Sequence, residues 1–167
     1  MAIIYDNVLS KEEWEYVYNK IYNGGNWSFT GFSDDSSKLF WFMNLNEDKF
    51  FTDIFFNKIQ NLSNANFILD RVYANGQTFG LSGELHRDVE SDKKNRYFTF
   101  LYYPCKEWHV SWNGQTIIIE KENEVNCQYP TPNRGVLFDS TDLHYAEAPS
   151  RSFFGLRTTV AFKLTLQ

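Results

Sequence analysis

Cysteine, positive charge and long apolar runs are all in short supply in this chain, and each shortage narrows what the protein can do. Two cysteines, Cys105 and Cys127, in 167 residues cannot build a disulfide framework, and their spacing fits no metal finger. They read as inert thiols, as expected of a protein in the reducing cytoplasm. No run of eighteen apolar residues occurs, and the opening Met-Ala-Ile-Ile-Tyr-Asp lacks the basic and apolar segments of a secretion signal. The expectation is a soluble cytoplasmic protein that does not enter a membrane. Lys and Arg number 16 against 21 Asp and Glu, a formal net charge of −5. Gripping a phosphate backbone needs a basic face, so nucleic acid is a disfavoured partner.

Aromatic rings, by contrast, are abundant: 16 Phe, 10 Tyr and 5 Trp, or 19% of the chain. Such residues favour strands and fill barrels or sandwiches. The length suits one domain over 1–167, with a helical part over about 1–65 and a β core over about 66–167. Ser10-Lys-Glu-Glu13 is a capping box, in which hydroxyl and carboxylate close free backbone donors. Trp14, Val17 and Ile21 follow at helical spacing, and Gly24-Gly25 ends that helix. Leu39 to Met43 is a short apolar run that suits a strand. Asn46 is placed to cap a second helix carrying the stripe Phe51, Phe55, Ile59 and Leu62. From residue 67 onward short strand patterns dominate, at 67–73, 97–103, 116–120, 135–138 and 156–164. Asn75-Gly76, Asn113-Gly114 and Pro130 to Asn133 mark breaks. Both helices are expected on the outer face of a sheet.

His86-Arg-Asp88 holds the most chemical information. On a strand, residues two apart face the same way, so imidazole and carboxylate can converge on one ion. His144 lies 56 residues past Asp88, far enough for another strand to return it to that point. Two histidines and a carboxylate form a facial triad that holds iron(II) and leaves positions open for other ligands. His109, the remaining histidine, sits beside Trp108 in an expected surface loop, and the charged stretch from Glu90 to Arg96 reads as a solvated loop near the site.

In the last strand Leu156, Thr158, Val160, Phe162 and Leu164 share an apolar face suited to the helices, which turns Arg157 inward. A buried guanidinium needs an anion. That anion is either a structural Asp or Glu, or the distal carboxylate of a dicarboxylic acid bound in bidentate fashion. Tyr97, Thr99, Leu101 and Tyr103 share one face of an earlier strand, opposite Phe98, Phe100 and Tyr102. Tyr103 can therefore turn its hydroxyl inward, and Tyr73 is a comparable candidate; each also fits ordinary core packing.

These stretches together resemble the prolyl 4-hydroxylase-like branch of the 2-oxoglutarate and iron(II)-dependent oxygenases. The resemblance rests on Arg71 to Gln77, Leu85-His-Arg-Asp88, Thr99 to Tyr103, Trp108 to Gly114, Arg134 to Asp139 before His144, and Leu156 to Ala161, in the family's order. It implies a double-stranded β-helix (jelly-roll, cupin-like) core with the N-terminal helices packed on one sheet. Further implied are iron ligands His86, Asp88 and His144, and a cosubstrate pocket of Arg157, Tyr103, Tyr73 and Leu101. The activity it implies is hydroxylation of a peptidyl residue, proline first, with 2-oxoglutarate converted to succinate and CO2 and ascorbate as an auxiliary reductant. A small-molecule substrate is the second possibility for the partner. Asn113-Gly114 stands where the family usually has Gly-Gly, and Pro104-Cys105 where Leu-Asn is common. Alternatives are a nucleobase demethylase, whose second arginine on the last strand is replaced here by Lys163, and a non-catalytic metal- or ligand-binding barrel.

Overall fold

The computed structural model describes residues 1–32, 39–93, 95–120 and 124–167. Two antiparallel sheets carry the chain. The larger uses β1 (Ile3–Tyr5), β2 (Ser28–Gly31), β3 (Phe40–Asn44), β4 (Phe67–Gln77), β5 (Tyr97–Tyr103), β8 (Arg134–Asp139) and β10 (Arg157–Leu166), in the order β1-β8-β5-β10-β4-β3-β2. The smaller uses β6 (Thr116–Ile119), β7 (Val125–Gln128) and β9 (Leu143–Ala146), in the order β7-β6-β9. His86 adds a single bridge to His144 at the β9 edge. From β4 onward the chain therefore passes back and forth between the sheets, which is the double-stranded β-helix expected from the sequence.

The outer face of the large sheet carries the helices. α1 (Lys11–Tyr18) starts in the capping box, with Ser10 Oγ accepting from Glu13 N and Glu13 accepting from Ser10 N. A π-helical turn, Asn19–Asn23, extends it to Gly24. α2 (Phe56–Ser63) is likewise preceded by a π turn, Phe50–Phe55. Asn46 does not cap it: its side chain accepts from Val72 N on β4, and Asp48 Oδ1 takes the Phe50 N–H instead. The shift follows from distance, since even the π turn that opens this helical segment begins four residues past Asn46, beyond reach of a cap. Phe51, Phe55 and Ile59 are fully buried, but Leu62 is 39% exposed and closes no part of the core.

Strand parity decides the two layers. Val160, Phe162 and Leu164 of β10 and Phe100 and Tyr102 of β5 join the helices' Val17, Ile21, Phe51, Phe55 and Ile59 in one core. Phe55 stands edge-on to Tyr102 and to Phe162, each with its ring centroid 4.9 Å away. The opposite faces of the same strands, with Leu101, Tyr103 and Ala161, pack toward Ile118 of the small sheet. Thr158 Oγ1 meets the Tyr22 hydroxyl at 2.5 Å, tying β10 to the first helical segment.

One expected break differs. Asn75-Gly76 lies inside β4, which runs on to Gln77. A Cβ on Gly76 would lie 2.7 Å from the Leu156 side chain, so the glycine serves close packing rather than a turn. Asn113-Gly114 and Asn133 do turn the chain, with φ of 52°, 75° and 56°. His86 to Asp88 is not a regular strand, because only His86 pairs with a neighbour. The 90–96 stretch contains a short 3₁₀ turn, Ser91–Lys93, exposed to solvent; Lys94 lies outside the described residues.

Phe55→Ala should cost about 3–5 kcal/mol, as for other buried aromatic truncations. Denaturant unfolding followed by far-ultraviolet circular dichroism measures it.

Candidate functional site

One cavity of about 390 Å³ lies between the sheets, and His86, Asp88, His144 and Arg157 all line it. His86 and His144 meet through a two-way backbone bridge: His86 N–H donates to the His144 carbonyl at 3.1 Å, and His144 N–H to that of His86 at 2.9 Å. The Asp88 and Val89 amides both donate to the Ser140 carbonyl, at 2.9 and 3.3 Å. Sequence neighbours are thus placed by cross-sheet hydrogen bonds rather than by strand alternation. Ligand atoms of His86, Asp88 and His144 all lie within 4.8 Å of one another, the only such group of three among the described residues.

Ring orientation suits a metal. Nδ1 of His86 lies 2.8 Å from the Glu84 carbonyl and Nδ1 of His144 lies 2.9 Å from that of Asp142. A carbonyl can only accept, so both Nδ1 atoms carry the proton and both Nε2 lone pairs face inward. Those Nε2 atoms sit 3.6 Å and 3.5 Å from the two oxygens of Asp88. Ligands side by side on one ion with bonds of about 2.1 Å stand about 3 Å apart, so each imidazole needs only a slight approach to the Asp88 carboxylate. Burial pushes the His144 imidazole down to about 4, which keeps it neutral and available as a donor near pH 7. For Asp88 burial acts upward, but Lys163 and then His144 outweigh it and hold the carboxyl well below its usual range.

Lys163 is the surprise beside this trio. Its Nζ contacts Asp88 Oδ2 and lies 3.2 Å from Thr99 Oγ1. Thr99 in turn donates to Asp88 Oδ2 at 2.6 Å and meets Ser140 Oγ at 2.9 Å. None of Lys163, Thr99 and Ser140 stood out as a site residue in the sequence. The available signal was the inward parity of Lys163 with Arg157 and of Thr99 with Tyr103.

Arg157 is fully buried, and every hydrogen-bond acceptor it meets is neutral. Nε donates to the Gly114 carbonyl at 2.7 Å, Nη1 to Gln77 Oε1 at 3.0 Å and Nη2 to Thr116 Oγ1 at 2.8 Å. Gln77 stands directly opposite it on β4. Among the described residues no carboxylate hydrogen-bonds to it, and Glu147 acts on it only through its charge. Burial pushes its pKa below the usual arginine value. Tyr103 does point inward, but its hydroxyl donates to Thr116 Oγ1 at 2.8 Å. Thr116 is therefore the hub through which Tyr103 and Arg157 are coupled. Leu101 and Tyr73 line the cavity, with Tyr73 stacked 5.5 Å from Phe42 and the Arg71 guanidinium 5.4 Å above its ring. His109 is exposed beside Trp112, Cys105 is buried and Cys127 is exposed.

Comparison with known proteins agrees with this geometry. The family model described as the 2OG-Fe(II) oxygenase superfamily matches residues 71–162. No curated protein sequence matches the chain. Among solved structures, a prolyl hydroxylase from Trichoplax adhaerens in complex with a hypoxia-inducible-factor peptide fragment has a TM-score of 0.74 at 19% identity, covering 98% of this chain and 83% of its own. A Pseudomonas putida prolyl-4-hydroxylase has a TM-score of 0.67 at 11% identity, covering 99% and 91%. The non-haem α-ketoglutarate-dependent epimerase SnoN from nogalamycin biosynthesis has a TM-score of 0.68 at 9% identity, covering 98% and 76%. The fold is thus shared by hydroxylases and by an enzyme of different outcome. With the family match over more than half its length, this chain belongs to the 2-oxoglutarate and iron(II)-dependent oxygenase superfamily.

Proposed function

We propose that His86, Asp88 and His144 hold iron(II), that Arg157 binds the distal carboxylate of 2-oxoglutarate, and that the protein hydroxylates a peptidyl residue, proline first. The carrying observation is Arg157, a fully buried cation with neutral partners, lining the same cavity as the His-Asp-His trio. Holding a guanidinium in such a place is costly unless an anion joins it. A dicarboxylate that reaches from the trio to Arg157 supplies that anion and explains why both features share one cavity.

Iron with 2-oxoglutarate and dioxygen supplies the oxidising power, releasing succinate and CO2. The chain's own contribution is placement. Backbone carbonyls of Glu84 and Asp142 fix the two imidazole rings. Gln77, Gly114 and Thr116 hold three guanidinium nitrogens and so aim the remaining N–H bonds of Arg157. Leu101 and Ala161 give the cavity an apolar wall between the charged groups, where electrostatic contacts are stronger than in water. Tyr103 acts on the cosubstrate through Thr116, and Tyr73 lines the cavity together with Phe40 and Phe42. That aromatic lining suits the apolar ring of proline. A peptide bound to a relative of the same fold supports the same substrate class.

Anaerobic addition of iron(II) and 2-oxoglutarate should produce the weak visible charge-transfer band of the chelate. His86→Ala should abolish it. Arg157→Ala should weaken 2-oxoglutarate binding about 100-fold or more, the cost of truncating one side of a buried charge pair, with little change in cobalt(II) binding; unaltered 2-oxoglutarate affinity would refute the role of Arg157.

Succinate formation with ascorbate present should rise with proline-containing peptides and not with free amino acids or methylated oligonucleotides. Stimulation by the oligonucleotides alone would move the assignment to nucleobase demethylation. A folded chain that gives neither the band nor succinate would be a binding module.

A further inference from the structure

The Lys163 side chain is a buried cation that the assigned roles leave unused. It projects from β10 on the cavity face, six residues beyond Arg157, directly opposite Thr99 on the neighbouring strand β5. Its ammonium meets Asp88 Oδ2 and Thr99 Oγ1, and Thr99 donates to that same Oδ2. A carboxylate has about four lone-pair sites, two on each oxygen. Lys163 and Thr99 therefore fill Oδ2 and leave Oδ1 as the oxygen open to an ion. The backbone of Asp88 is fixed as well, its amide bound to the Ser140 carbonyl at 2.9 Å while Ser140 Oγ reaches Thr99.

We propose that Lys163 is a positioning residue that, by occupying Oδ2 of Asp88, orients this iron carboxylate and biases the bound iron toward the ferrous state. The proposal rests on the reading of His86, Asp88 and His144 as the iron ligands. Packing alone would be served by an uncharged chain of similar length without the cost of desolvating an ammonium. The charge has a specific consequence here. Lys163 cancels the single negative charge of the trio, since both imidazoles are neutral ligands. Ferric iron carries one more positive charge than ferrous, so a cation held beside the carboxylate opposes the ferric form more strongly. The equilibrium concerned is loss of one electron from iron(II) to an external acceptor. An oxygenase that meets dioxygen before its substrate gains from resisting that loss.

The test uses the full chain loaded with iron and no 2-oxoglutarate or substrate, and reads the midpoint potential by anaerobic spectroelectrochemistry. Lys163→Met, which keeps length and removes charge, should raise the ferric-to-ferrous ratio at a fixed potential by on the order of tenfold, equal to a fall of about 59 mV for a one-electron couple. Lys163→Arg should stay within about twofold of the parent, a rescue that packing would not give. Where Lys163→Met does not fold, Lys163→Gln keeps a donor to Asp88 and carries the same expectation. A neutral variant whose potential matches the parent overturns the role of Lys163 while leaving the iron centre intact. A parent chain that binds neither iron(II) nor cobalt(II) overturns the centre itself, and the proposal with it.

Discussion

The alternation of side chains along β10 is the constraint on which the rest of the site depends. This strand lies between β4 and β5, and a strand hydrogen-bonded on both edges has no freedom to slip. Val160, Phe162 and Leu164 are committed to the helical core. A slip of one residue would drive Arg157 and Lys163 into that core and expose the apolar set to the cavity. The apolar face thus locks the polar one. Arg157 falls opposite Gln77, and Lys163 opposite Thr99, and both pairs are hydrogen-bonded.

The two cations on that strand are handled in opposite ways. Lys163 has a carboxylate in contact, Asp88, and the pair neutralises itself inside the protein. Arg157 is hydrogen-bonded only to neutral acceptors among the described residues, which hold its orientation but do not cancel its charge. Residues set between them, Thr159 and Ala161, are small, so space for a ligand remains along the strand. At one end of the cavity the cation is matched by a carboxylate of the protein, and the other end asks for an anion.

Much of this arrangement is legible in the amino-acid sequence. Period-two patterns marked the strands that became β4, β5, β6, β8 and β10, and the parity that turns Arg157, Leu101 and Tyr103 inward. Short edge strands such as β1, β2, β7 and β9 escaped because three or four residues carry too little periodicity to stand out. Asn75-Gly76 misled because its dipeptide has turn chemistry, whereas the close approach of Leu156 explains the glycine inside β4. Asn46 misled for a related reason: a capping residue is recognised by its side chain, but Val72 of β4 claims that side chain first.

The triad shows the division most clearly. Residue types and order pointed to His86, Asp88 and His144, because few side chains suit a ferrous ion and this chain has only three histidines. Alternation on a strand was the wrong reason for their convergence, since residues 86 to 88 are placed by bonds to His144 and Ser140. Composition and local pattern could state which groups were available and which faces were apolar, because propensity and periodicity are properties of neighbouring residues. They could not state that Thr116 joins Tyr103 to Arg157, that Gln77 faces the guanidinium, or that Lys163 rests on Asp88. Each of those contacts spans 13 to 80 residues, and only the register of the folded sheets decides which distant donors and acceptors come within bonding distance.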